Sequence, residues 1–129
     1  MISFQVFRQT DGTPIYLQII RYIQQGLAAG TIQDGDELPS RRVVSALLAV
    51  NPNTVQKAFR LLEDEGLITS RAGAKSYIQA SPQQIAVLRR QLLETELQAM
   101  VDAARRMGLS REDAHRLLDT LYDKEGTDA

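Results

Sequence analysis

Apolar residues recur along this chain at two different spacings, and the change from one to the other marks out its elements. From Ile15 to Leu27 the apolar positions Ile15, Ile19, Tyr22, Ile23 and Leu27 fall three or four apart, with Leu17 and Ile20 widening the stripe. That spacing predicts an amphipathic helix. Thr13 is placed to cap it with Pro14 at its first position, and Gly30 to stop it. Upstream, Ser3 to Phe7 alternates as a short half-buried strand or an extended arm would, and Asp11-Gly12 signals a turn. Gln33 to Asp36 reads as a loop leading into a very short strand at Glu37-Leu38.

Leu38 to Ile68 predicts two helices with a tight turn between them. Ser40 follows a proline and is placed as an N-cap, and Asn51 caps the next helix with Pro52 at its first position. Gly66 supplies the left-handed residue that ends the second helix. Only Leu48 to Val50 separate the two helices, too few residues for an antiparallel pair, so they are expected to cross steeply as a helix-turn-helix. Val55, Ala58, Leu61 and Leu62 would pack inward. Asn51, Asn53, Thr54, Gln56 and Lys57 remain at the outward end, where medium-length polar groups can donate to and accept from base edges. Asn and Gln suit adenine; Lys suits guanine or a phosphate.

Beyond Gly66 the spacing drops to that of strands. Leu67 to Arg71 and Lys75 to Ile78 flank a tight turn at Ala72-Gly73-Ala74, a hairpin in the position of a wing. Arg71 and Lys75 beside the turn could reach a phosphate or the adjacent minor groove. Helical spacing then returns. Ser81 caps a helix with Pro82 at its first position, running to about Met107 before Gly108, and Ser110 starts a last helix with Asp113 in a capping-box spacing. Leu92, Leu93, Leu97 and Met100 on the first, and Leu117, Leu118 and Leu121 on the second, form apolar faces that two helices cannot bury on each other alone. A second copy of the chain is the expected cover, because readers of this kind dimerise on half-sites one helical turn apart. The alternative is a hairpin folded back into a monomer core.

Composition narrows the picture. At 129 residues the chain is one domain, or a small domain with an appendage, and 43% hydrophobic content suffices for a core. Zero cysteines, no run of about twenty apolar residues and no signal-like N-terminus fit a cytoplasmic protein without disulfides, cofactor or membrane span. The net charge of -1 does not point to nucleic acid, but its distribution does. Leu38 to Leu62 and Gly66 to Leu93 hold no acidic residue, and carry Arg41, Arg42, Lys57, Arg60, Arg71, Lys75, Arg89 and Arg90. Glu63-Asp64-Glu65, between those windows, is expected at the far end of the second helix, away from a phosphate backbone. Nothing points to an enzyme: His115 is the sole histidine, and no nucleophile–base pair, phosphate-cradling loop or metal spacing occurs. Asp119 and Asp123 are one turn apart on a solvated helix.

The residues Pro14 to Ile19, Gly30, Gly35-Asp36, Leu38-Pro39-Ser40 with Arg42, Val50 to Val55, Ala58, Leu62, Glu65 to Ile68 and Gly73 resemble the DNA-binding domain of the GntR family of bacterial transcription regulators. The short two-helix tail and the string Val-Asn-Pro-Asn-Thr-Val are similar to its YtrA subfamily. The resemblance implies a dimeric winged-helix repressor, often of transporter genes. It implies that Arg42 enters the major groove, that Asn51, Asn53 and Thr54 begin the recognition helix, and that Gly73 approaches the minor groove. Val43-Val44 replaces the family's usual acidic residue and leucine, and Lys75 a second wing glycine. The expected fold is thus mainly α with a small β-hairpin: a winged helix-turn-helix domain over residues 1–78 and a helical dimerisation segment over 79–129. The expected DNA-binding residues are Arg41, Arg42, Asn51, Pro52, Asn53, Thr54, Gln56, Lys57, Arg71, Gly73 and Lys75, with double-stranded operator DNA and a second copy as partners. Two other readings stay open. One is a winged helix used for protein contact; the other is a regulator sensing an unidentified small-molecule effector at the dimer or interdomain interface.

Overall fold

The structure, a computed structural model, describes residues 1–10, 12–71 and 75–127. In chain order the elements are α1 (Ile15–Ala29), β1 (Glu37–Leu38), α2 (Arg41–Leu48), α3 (Pro52–Asp64), β2 (Ile68–Arg71), β3 (Lys75–Ile78), α4 (Pro82–Arg106) and α5 (Arg111–Thr127). The hairpin β2–β3 gains β1 as a third strand in the antiparallel order β1-β3-β2. Leu38 lies opposite Ser76, and Ser70 opposite the same residue from the other side.

Local chemistry explains most helix boundaries. The Ser40 hydroxyl accepts from the Val43 N–H at 3.1 Å, and the Asn51 side chain from the Asn53 N–H at 2.8 Å. Ser81 and Gln84 cap each other reciprocally at 3.1 and 2.8 Å, and Ser110 accepts from the Asp113 N–H at 3.1 Å. The start of α1 differs from expectation. Pro14 is itself the N-cap, with φ -54 and ψ 139, and no side chain caps this helix. A proline's fixed φ suits either the cap or the first helical position; here its extended ψ places it outside the helix. The Thr13 carbonyl instead accepts from the buried Gln18 amide at 2.7 Å.

Between α2 and α3 the chain turns at Ala49, whose φ of 56 is left-handed. That conformation costs an alanine about 1–2 kcal/mol. It is offset locally: Ser45 Oγ donates to the Val50 carbonyl at 2.6 Å, and the Val50 N–H returns to the Ser45 carbonyl at 3.1 Å. α3 packs on α1, α2 and β2, and the largest side chains excluded from water are Phe59, Ile19, Ile23, Leu27, Leu38, Leu62, Val44 and Val55. Phe59 is the largest of these and the residue that the inward face of α3 is built on; Leu61, expected inside, is only half-buried.

The N-terminal residues adopt the extended arm rather than a strand. Ile2, Phe4 and Phe7 are buried, with Phe4 stacked on Tyr22 at 5.0 Å between ring centres. The Ile2 N–H donates to the Glu37 carbonyl at 2.8 Å and the Tyr22 hydroxyl to the Ser3 carbonyl at 2.6 Å. Gln9 Nε2 then reaches the Leu48 carbonyl at 2.8 Å, satisfying an acceptor at the end of α2 that has no intrahelical donor.

The chain forms two compact units, Met1–Arg90 and Gln91–Ala129. In the first, the opening turns of α4 are held by buried Leu88 and by Arg89 Nε donating to the Ala28 carbonyl at 3.0 Å. In the second, the rest of α4 and α5 leave Leu93, Leu97, Met100, Val101, Leu117, Leu121 and Tyr122 exposed. Among the described residues no helix is long and apolar enough to cross a membrane, and no cluster of three or more metal-ligating side chains occurs.

Candidate nucleic-acid interface

The first turn of α3 carries no acidic residue. Its N-cap, Asn51, commits its side-chain oxygen to the helix and keeps its amide NH2 as a donor. Asn51, Pro52, Asn53, Gln56 and Lys57 are exposed and Thr54 is half-buried, while Val55, Ala58, Phe59 and Leu62 face the core. The positive end of a helix dipole thus coincides with a cluster of uncharged donors and acceptors, an arrangement suited to base edges flanked by phosphates.

Two cations, one on α3 and one at the start of α2, lie against aromatic rings. Lys57 Nζ lies 4.0 Å from the centre of the Tyr16 ring on the first turn of α1. Arg41 lies with Cζ 5.1 Å from the centre of the Phe59 ring, and its Nη2 is 3.6 Å from Glu63 Oε1. Glu63 also accepts from the Ser70 hydroxyl on β2. The first acid of the Glu63-Asp64-Glu65 run therefore does not simply trail away at the helix end; it is bound to the α2 arginine. Arg42, the next residue, is exposed, and among the described residues it has no acidic partner. The valines that replace the family's usual pair divide cleanly, Val44 into the core and Val43 into solvent at 46% exposure.

On the wing, Arg71 and Lys75 form the pair of β2–β3 farthest from Ile68 and Ile78, and the Lys75 side chain is exposed. Gly73 and the side chain of Arg71 lie outside the described residues. The expected dimerisation residues all sit in the second unit: Leu93, Leu97, Met100, Leu117 and Leu121 are exposed, and Leu92 and Leu118 are half-buried. Leu97, Met100, Val101, Ala104, Ala114 and Leu118 wall a groove of about 560 Å³ between the two helices.

Four residues with a role in this surface were not legible as such. Tyr16, Gln9 and Glu63 each act on a residue far away in the chain, and Ser70 on Glu63 across the end of α3; no periodicity or cap announces contacts of that kind.

The comparisons with known proteins agree with the geometry. The profile described as "Bacterial regulatory proteins, gntR family" matches residues 15–78. The chain is 34% identical over 112 residues to the HTH-type transcriptional repressor YtrA of Bacillus subtilis, covering 86% of each protein. It is 32% identical to the transcriptional regulator YhcF of the same organism, over 78% of this chain and 83% of that one. A solved GntR family transcriptional regulator from Listeria monocytogenes superposes with a TM-score of 0.79 at 28% identity, over 87% of this chain and 98% of its own. The matches to YtrA and to the Listeria regulator cover 86% and 87% of this chain, so both run past residue 78 into the tail.

Proposed function

The chain belongs to the GntR family of bacterial regulatory proteins, DNA-binding transcription regulators and not enzymes, and on that premise we propose that it represses transcription by binding a palindromic operator as a homodimer. The observation that carries this reading is the exposed, acid-free first turn of α3, together with an exposed Arg42 on α2 that has no acidic partner among the described residues. Asn51, Asn53, Thr54 and Gln56 read base edges, Pro52 sets the helix start, and Arg42 enters the major groove. Lys57 and Lys75 meet phosphates, with Arg71 and Gly73 completing the wing. Arg41 stands behind Arg42 at the same helix start. The exposed leucines of the tail are covered by a second copy, which sets two reading helices on one face of the duplex. Repression is taken from the name of the Bacillus relative, whose match includes the tail. Transporter genes are the proposed targets, from the family resemblance alone.

The test is selection of bound duplexes from a randomised pool by the full chain. The expected product is an inverted repeat with half-site centres about 10 base pairs, or a multiple of that, apart. A pool without an enriched sequence would remove the specific-reader claim, and a single unrepeated site would remove the homodimer.

A further inference from the structure

We propose that Glu63 is a positioning residue that ties the wing to the helix-turn-helix, and that Arg41 is its counter-ion rather than a contact to DNA. The proposal rests on the DNA-binding reading and concerns how its two contact regions are held in register.

Three elements meet at one carboxylate, and a fourth is linked to it through Ser70. Glu63, in the last turn of α3, accepts from the Ser70 hydroxyl on β2 and lies 3.6 Å from the Arg41 guanidinium at the start of α2. Ser70 Oγ is 3.3 Å from Ser76 Oγ on β3, and Ser76 is buried at 3% exposure. Both strands of the wing are therefore connected to both helices of the helix-turn-helix through Glu63. The Arg41 side chain is turned to the same point: its guanidinium sits over Phe59, and its Nε is buried with no hydrogen-bond partner among the described residues. An arginine reaching for phosphate would not be expected to bury that N–H against its own core.

Such a tie contributes little to folding, because Arg41 and Glu63 keep 26% and 34% of their side chains in water. Its effect is geometric. A winged reader touches two grooves at once, so the spacing between the first turn of α3 and the wing must be set before binding if both contacts are to form together. Glu63 sets it from the opposite end of α3, at no cost to the reading surface.

The test uses the full chain, a duplex selected from a randomised pool, and fluorescence anisotropy, with a thermal melt of each variant. Ser70→Ala breaks the wing half of the tie without changing charge. It should weaken binding about fivefold by releasing the wing, and lower the melting temperature only slightly, as loss of one exposed hydrogen bond does. Ser70→Thr, which keeps the hydroxyl, should bind like wild type. Lys75→Ala should weaken wild type about threefold, as loss of a phosphate contact does, yet have no further effect in the Ser70→Ala background, where the wing is already released. Glu63→Gln should fall between wild type and Ser70→Ala. Equal costs of Lys75→Ala in the two backgrounds, or wild-type affinity in both Ser70→Ala and Glu63→Gln, would overturn the tie while leaving the functional reading intact. A wild-type chain that selects no duplex would overturn the functional reading itself.

Discussion

The two units of this chain solve the burial of apolar surface in opposite ways. In residues 1–90, Phe59, Leu62, Val55, Ile19 and Ile23 are all closed off from water, and even the N-terminal arm is pressed onto α1 through Phe4 and Phe7. In residues 91–129, Leu93 is 55% exposed, Leu97 48%, Leu117 53% and Leu121 52%. The sequence spacing that makes an amphipathic helix is present in both; only the first unit supplies a surface to receive it. An apolar face of this size on a small helical unit is characteristic of a contact site. The lesson is that patterning identifies a buried face but not what buries it.

The largest expected effect lies in the first unit. Phe59→Ala should lower the stability of residues 1–90 by about 3–5 kcal/mol, read as a shift of the denaturant midpoint, because a wholly enclosed ring leaves a cavity. Leu97→Ala in the tail should leave that midpoint within error, its side chain being half in water already; a comparable loss from both would mean the units are not distinct in this sense. The next effect tests what the tail is for. The chain cut after Arg90 should remain folded yet bind a selected operator about a hundredfold more weakly, since two linked half-site contacts become one. Full affinity in the truncated chain would assign the tail some other role.

Smaller effects separate the parts of the reading surface. Arg42→Ala should cost about 1–3 kcal/mol on the selected site and relax one base position in a repeated selection. Unchanged preference at every position would displace Arg42 from the major groove. Lys57→Ala should be milder and indifferent to sequence, lowering the slope of log affinity against log salt by about one. An effect confined to one sequence would make Lys57 a base reader instead.

How much of this was visible in the sequence follows from how far each contact reaches. The caps at Ser40, Asn51, Ser81 and Ser110 were legible because a side-chain oxygen and the N–H it accepts from are two or three residues apart. The start of α1 was misplaced by one residue, because proline tolerates both positions and only ψ separates them. The winged-helix class was legible from the order of helical and strand spacings, but β1 joining the sheet required Leu38 to meet Ser76 across two helices and a strand of intervening chain. The arm was undecided between strand and coil because its fate depends on Glu37, Tyr22 and Leu48. For the site, residue types at the start of α3 were readable from the local motif. The internal bonds of Lys57 and Arg41 were not, since Tyr16, Phe59 and Glu63 become their neighbours only after folding.

The central claim is that the tail's open face is completed by a second copy of the chain. Sedimentation equilibrium of the full chain, without DNA, tests it most directly. The predicted result is a species of about twice the 14.4 kDa chain mass, which reverts to the single mass when Leu97→Asp and Leu121→Asp place charges on the exposed face. A wild-type chain that sediments as a 14.4 kDa monomer at every concentration tested would contradict it.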